Sequence, residues 1–297
     1  MPMMRDLPLA AYLALPALSS HWCITAMTAC PAKAHFEAQN PIEPTPAMLM
    51  GSAFHTLLLE PGKWSQTVAE LTFDDYRKTE ARAARDAAIA AGKVPLKPSE
   101  ASAVKDMAAA ALANRDVREL LEPGGLAEVS FVHDDGDLSI KARPDFFRTD
   151  EEVLIDVKGC PNAHPREFEK HADGMHYYIQ AAFHRRVVQA VTKLRIKGYA
   201  YIAVEREPPY LSSVCWLDAA ALDAGDVLAD MAIQAYLDGQ RTGFWPGYRA
   251  SEISLKSWTK TDLMERNPSD VFQRAEALTQ EQITANMAFQ APVKEAS

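Results

Sequence analysis

The sequence predicts an α/β fold, with a central mixed sheet flanked by helices, from three observations. A helical segment at 51–61 is followed by three strand-like segments, a long helical segment and a further strand, so the order is helix, three strands, helix, strand. The third strand-like segment is an apolar run, Val153, Leu154, Ile155 and Val157. Hydrophobic residues make up 48% of the 297, enough for a sizeable core, and charged residues 24%.

Residues 1–50 read as an irregular N-terminal arm punctuated by Pro31, Pro41, Pro44 and Pro46, with a short helix at 9–15. The opening stretch carries one arginine, and Asp6, Pro8 and Pro16 interrupt its apolar run, so it does not read as a secretion signal. GSAFHTLLLEP (51–61) is a helix stopped by Pro61 and Gly62. Residues 75–121 read as two helices separated near 92–98, where Pro95 and Pro98 cannot continue a helix. The later one spaces Val104, Met107, Ala108, Ala111 and Leu112 helically.

The texture changes at Gly124. AEVSFVH (127–133) alternates as a strand, DDGD (134–137) is a hairpin turn, and LSIKARPDFF (138–147) is the second strand. EVLIDVK (152–158) is the third. After a loop, a helix covers about 175–193. IKGYAYIAVE (196–205) and YLSSVCWLD (210–218) are strands paired across Pro208–Pro209, and a last helix covers about 219–239. The organisation is an arm at 1–50, a core at 51–249 with a helical insertion at 67–121, and a polar tail at 250–297. There is no internal repeat.

Composition excludes little. No apolar run approaches the roughly 18 residues of a membrane span. Cys23, Cys30, Cys160 and Cys215 form no C-x-x-C pair and no tight group, so they read as reduced thiols and not as a zinc ribbon or an iron–sulfur centre. The net charge of −9 does not exclude nucleic acid, because binding needs only local positive charge, and a metal-binding carboxylate cluster itself makes the total more negative.

The chemistry concentrates in ARPDFFRTDEEVLIDVKG (142–159). Asp156 and Lys158 are two apart on one strand and share a face. A hairpin brings Asp145 towards Asp156, and two adjacent carboxylates invite a divalent cation such as Mg²⁺. A lysine beside that cation can orient or deprotonate water and balance phosphate charge, which suits phosphodiester hydrolysis. Paired Asp and Lys are often plain surface ion pairs, but Asp156 lies within the apolar run Val153, Leu154, Ile155, Val157.

With RPD at 143–145 and DVK at 156–158, the chain resembles the PD-(D/E)XK nuclease superfamily, and more narrowly the RecE-type exonucleases of phages and prophages. GSAFHTLLLEP, AEVSF, YYIQAAFHRRVV (177–188), AYIAVEREPPY and GFWPGY (243–248) resemble further landmarks in family order, from about residue 19 to 248. The resemblance implies the αβββαβ restriction-endonuclease-like core. It makes His55 a metal ligand beside Asp145 and Asp156, with Glu128 a further candidate, and places Gln180 in the site and Tyr178 near DNA. It implies 5′→3′ digestion of linear duplex DNA with Mg²⁺, for which Mn²⁺ can substitute. The product is a 3′ single strand for an annealing protein, and the enzyme a ring-like homo-oligomer in the cytoplasm of a bacterial host. Where the related motif reads Q-x-x-x-Y, this chain has Gln180 and then His184.

Arg185, Arg186, Lys193, Arg195 and Lys197 form the densest basic stretch and are candidates for phosphate contact, ahead of Arg77, Lys78, Arg82 and Arg85. The rival readings are a structure-specific endonuclease of the same fold and a non-catalytic DNA-binding or assembly module. The intact Asp145, Asp156 and Lys158 weigh against the second.

Overall fold

The computed structural model describes residues 3–122 and 124–251, with Ile253, Ser254 and Lys256. The tail predicted over 250–297 lies almost wholly outside the described residues. The fold is carried by the unit Met1–Tyr248.

The chain opens with strand β1 (Met3–Met4) and helix α1 (Leu9–Leu13), which ends before the predicted residue 15. Where proline punctuation suggested irregular chain, two helices form, α2 (Ser20–Thr28) and α3 (Pro31–Gln39). The Ser19 hydroxyl accepts from the Trp22 N–H at 3.5 Å, and Pro31 sits in a first turn, where a missing N–H costs nothing. α4 (Pro46–Leu59) starts the same way: Pro46 follows a Thr45 cap that accepts from the Met48 N–H at 3.3 Å. These prolines begin helices; they do not end them. Next come α5 (Trp64–Thr67), β2 (Val68–Glu70), α6 (Thr79–Ala90), β3 (Val94–Leu96), α7 (Pro98–Ala113) and α8 (Arg115–Leu120). β2 and β3 pair in parallel as a separate small sheet, so the break predicted at 92–98 holds a strand.

The second half carries β4 (Gly125–Ala127), β5 (Ser130–Asp135), β6 (Leu138–Ala142), β7 (Phe146–Arg148), β8 (Val153–Cys160), α9 (Pro165–Gly174), α10 (Tyr177–Thr192), β9 (Gly198–Glu205), β10 (Ser212–Trp216) and α11 (Ala219–Thr242). The main sheet runs β10-β9-β8-β7-β4. β8 and β9 are parallel, with α9 and α10 as the crossover such pairing requires, and the other pairs are antiparallel. The sheet is therefore mixed and flanked by helices, a restriction-endonuclease-like core. α9 is polar along most of its length, with only Phe168 buried, where the sequence predicts a loop.

Each strand predicted at 127–133 and 138–147 is one stretch in two pieces. β5 and β6 pair from Phe131↔Ala142 to Asp135↔Leu138 in a sheet ordered β1-β5-β6, while β4 and β7 pair from Gly125↔Arg148 to Ala127↔Phe146 in the main sheet. Both halves keep the same register, which puts Glu128 opposite Asp145. The Glu128 N–H donates to the Asp145 carbonyl at 3.0 Å. Glu128 has φ 50°, a left-handed conformation that costs a non-glycine residue roughly 1 kcal/mol.

Alternation along β8 divides the core. Leu154 packs with Tyr199, Tyr201, Trp22, Phe183 and Ala229 on the face covered by α2, α10 and α11. Ile155 and Val157 pack with Ile202, Phe54, Leu58, Val104 and Val117 on the face covered by α4, α7 and α8. Each such buried aliphatic contributes about 1.5–3 kcal/mol. α10 and α11 touch closely at Gly225, where a Cβ would stand 2.2 Å from the Tyr178 carbonyl oxygen.

The N-terminal segment is docked by a buried cation and a half-buried one. The Lys141 ammonium donates to the carbonyls of Tyr12, Leu13 and Leu15 at 3.0, 2.9 and 2.7 Å, capping the end of α1. The Arg143 guanidinium donates to the Leu7 carbonyl at 2.7 Å and to the Ser130 hydroxyl at 2.8 Å. Among the described residues, no helix is long and apolar enough to cross a membrane.

Candidate active site

Three carboxylates come level on adjacent strands. Glu128 follows β4, Asp145 precedes β7 directly opposite it, and Asp156 lies one register step along from the Phe146↔Ile155 pair of β7 and β8. Asp145 is pinned at both ends: its Oδ2 accepts from the Val157 N–H at 2.6 Å, and its own N–H donates to Asp156 Oδ1 at 3.3 Å. α4 delivers His55, whose Nδ1 is 3.5 Å from Asp145 Oδ1 and 3.7 Å from Glu128 Oε1.

One donor atom each from His55, Glu128 and Asp145 lies within 4.8 Å of the others. Burial alone would push the His55 pKa down. The charge and hydrogen bonds of Asp145 and Glu128 outweigh it and raise the pKa to about 10. Two carboxylates that force a proton onto a neighbouring imidazole are a site that wants a cation. One nitrogen and two carboxylate oxygens suit a divalent ion of the Mg²⁺–Mn²⁺ type, so these residues fit one.

Asp156 stands outside that group. It is 1% exposed, and burial raises its pKa against the opposing charge of Lys158. Its Oδ2 accepts from the Tyr199 hydroxyl and is 3.7 Å from His184 Nδ1. Lys158, two residues on, places its ammonium 5.1 Å from the Tyr177 ring centre and 5.8 Å from that of Tyr201. Burial works to lower the Lys158 pKa, but the charges of Asp156 and Asp145 prevail and raise it. Lys158 is thus a fixed cation at neutral pH. Of the two roles expected from sequence, orienting water or deprotonating it, a lysine that keeps its proton suits the first.

The remaining candidates are spread along α10. Gln180 lies half-buried on the stripe between Tyr177 and His184, and among the described residues its side chain makes no hydrogen bond. The Tyr178 hydroxyl is 3.0 Å from His176 Nδ1, and the residue lines a cavity of about 890 Å³ between α9, β10 and α11. The tyrosine against the lysine is its neighbour, Tyr177. Arg185 and Arg186, expected to face phosphate, are paired within the chain instead: Arg185 with Asp226, and Arg186 with Asp230 at 2.6 Å. They clasp α10 to α11, and this pairing gives no support to a phosphate-contacting role. His184, left without a role by the sequence, is buried, and burial lowers its pKa to about 4, so it is neutral. Tyr177, Tyr199 and Tyr201 were missed. The signal for the last two was the alternation in GYAY (198–201), which places both on the face of Asp156 and Lys158.

The family described as a PDDEXK-like domain of unknown function (DUF3799) matches residues 20–255, most of the chain. The chain belongs to this family. The match begins at α2, so the helices at 20–39 fall within the PDDEXK-like domain. Among solved structures, one described as a proposed exonuclease from Eubacterium rectale is similar with a TM-score of 0.60 and 11% identity, over 90% of this chain and all of that one. At that identity the likeness shows the fold alone. A second, SSO0001, covers 63% of this chain and 85% of its own with 11% identity and a TM-score of 0.25, too low to carry an argument. No curated protein is significantly similar in sequence. The PDDEXK-like family and fold support a nuclease.

Proposed function

We propose that this PDDEXK-like protein is a divalent-metal-dependent exonuclease that hydrolyses linear double-stranded DNA. The observation that carries the reading is the His55–Glu128–Asp145 group, with Lys158 held as a cation on the neighbouring strand. A divalent ion there, Mg²⁺ or Mn²⁺, would polarise the scissile phosphate and supply an activated water. His55, Glu128 and Asp145 hold the charge in place. The Val157 N–H fixes the Asp145 carboxylate, so little reorganisation is needed. Lys158, braced by Tyr177 and Tyr201, offsets negative charge on the phosphate and orients water.

The motif order shared with RecE-type exonucleases supports 5′→3′ digestion that leaves a 3′ strand for an annealing protein. It likewise supports a homo-oligomer acting on DNA ends in the bacterial cytoplasm, of phage or prophage origin. The name of the Eubacterium rectale structure agrees with exonuclease action. The test is a time course on end-labelled linear duplex and on closed circular DNA, with Mg²⁺, with Mn²⁺ and with chelator. Linear DNA should be degraded from its 5′ ends, the circle should persist, and chelator should stop the reaction. Cutting of the circle would make the protein an endonuclease. Cleavage of neither substrate would leave a DNA-binding module.

A further inference from the structure

His184 takes the place where the Q-x-x-x-Y pattern has tyrosine, and it sits in a buried line of polar groups drawn from four elements. The Ser20 hydroxyl of α2 is 3.3 Å from His184 Nε2 on α10. His184 Nδ1 is 3.0 Å from the Tyr199 hydroxyl on β9, and that hydroxyl meets Asp156 Oδ2 on β8. Counting protons gives the line a direction. When Asp156 is ionised its carboxylate only accepts, and Tyr199 then gives its single proton to Asp156. The Tyr199 oxygen is then free to accept, and the neutral His184 must carry its proton on Nδ1. Its bare Nε2 takes the Ser20 hydroxyl proton. Every member is satisfied, and a single tautomer of His184 achieves this.

The far end of the line reaches the metal-binding group. Asp156 Oδ2 is committed to Tyr199, while Oδ1 receives the N–H of Asp145, which belongs to that group. We infer that Tyr199 and His184 are positioning residues, which hold the Asp156 carboxylate in the one orientation that aligns Asp145 and keeps Oδ1 turned towards the cation site. Neither touches substrate; they act through Asp156. Groups that orient ligands in this way typically set metal affinity or activity by roughly ten- to a hundredfold. The inference rests on the proposed nuclease reading for turnover, but not for metal binding.

The test compares full-length Tyr199→Phe, His184→Leu and His184→Asn with the wild type. The readouts are Mn²⁺ binding by titration calorimetry, the thermal midpoint in chelator, and kcat and KM on linear duplex. Tyr199→Phe and His184→Leu should weaken Mn²⁺ binding roughly ten- to a hundredfold and lower kcat, with KM for DNA little changed. His184→Asn, whose amide N–H can stand in for Nδ1–H, should recover most of what His184→Leu loses. A folded Tyr199→Phe that binds Mn²⁺ like the wild type, or loses thermal stability alone, overturns the inference, as does His184→Asn behaving like His184→Leu. If Tyr199→Phe fails to fold, the two His184 variants decide. A wild type that binds Mn²⁺ but cuts no DNA sinks the nuclease reading, and the affinities of the variants still judge this one.

Discussion

Replacing His55 with glutamine removes the positive charge that stands between Glu128 and Asp145, and the consequence should depend on pH in a defined direction. In the folded chain the imidazole is raised from its ordinary 6.5 to about 10, burial opposing and the two carboxylates prevailing. A raised pKa stabilises the fold fully below pH 6.5, and the contribution disappears as pH climbs through 10. At about 1.4 kcal/mol per pH unit, that interval is worth at most about 5 kcal/mol. A quarter of the His55 side chain reaches solvent, which screens the carboxylates, so about 2–4 kcal/mol is expected. The assay is urea denaturation in chelator at pH 6, 8 and 10, for wild type and His55→Gln. The gap in unfolding free energy should shrink by that amount between pH 6 and 10. A gap constant across the range refutes the reasoning. A metal ligand nitrogen must be neutral, so Mn²⁺ binding at pH 8 should release about one proton, read by calorimetry in buffers of different ionisation enthalpy.

Asp156→Ala should abolish nuclease activity while the chain still folds, at a cost of about 1–3 kcal/mol for the buried hydrogen bonds lost from the Tyr199 hydroxyl and the Asp145 N–H; wild-type activity at ordinary Mg²⁺ would remove Asp156 from the site. Lys158→Ala should keep Mn²⁺ affinity but lower turnover by about 10²–10³, equivalent to about 3–4 kcal/mol, and near-normal kcat would contradict its role. Arg185→Ala with Arg186→Ala should lower the denaturation midpoint by loosening α10 from α11, yet leave the salt dependence of DNA binding unchanged. A slope reduced by about 0.9 for each arginine would show that they reach phosphates after all. Lys141→Met should cost about 1–3 kcal/mol, because the Leu13 carbonyl loses its partner while those of Tyr12 and Leu15 keep only their backbone bonds, and should expose the first eighteen residues to protease; an unaltered digestion pattern would count against the clamp.

The centre of the main sheet was legible because β8 and β9 are long and apolar, while β4 and β7, three residues each, were not told apart from β5 and β6. The pairing of β9 with β10 followed from two strand-like segments joined across Pro208–Pro209, while the parallel pairing of β8 with β9 had no such short connection to announce it. Asp145, Asp156 and Lys158 stood out because charges inside apolar strands demand an explanation. What escaped was whatever depends on partners distant in sequence. Pro31 and Pro46 look like breakers until the caps that make them helix starts are seen. Tyr199 looks like ordinary packing until Asp156 is found beneath its hydroxyl. Arg185 and Arg186 look free until α11 brings Asp226 and Asp230 to them. The break at Glu128 was invisible because nothing in AEVSF announces a left-handed glutamate; it follows from where the hairpin must leave one sheet and join another.

That hairpin also works as a ruler. Its register is struck at the tip, where Gly136 turns with φ 59°, and is carried unchanged through the break to Gly125↔Arg148. Six residues lie between Glu128 and Asp135 and six between Leu138 and Asp145, so the two carboxylates arrive face to face by equal counting along two strands. Because strand pairing has a period of two, one extra residue in either arm would bring a different side chain opposite its partner and turn the original outward, with no catalytic residue altered. Exchanges at the tip that keep the two-residue turn between Asp135 and Leu138 leave that register alone. The spacing of the arms, and not their composition, is what the chemistry at the far end requires.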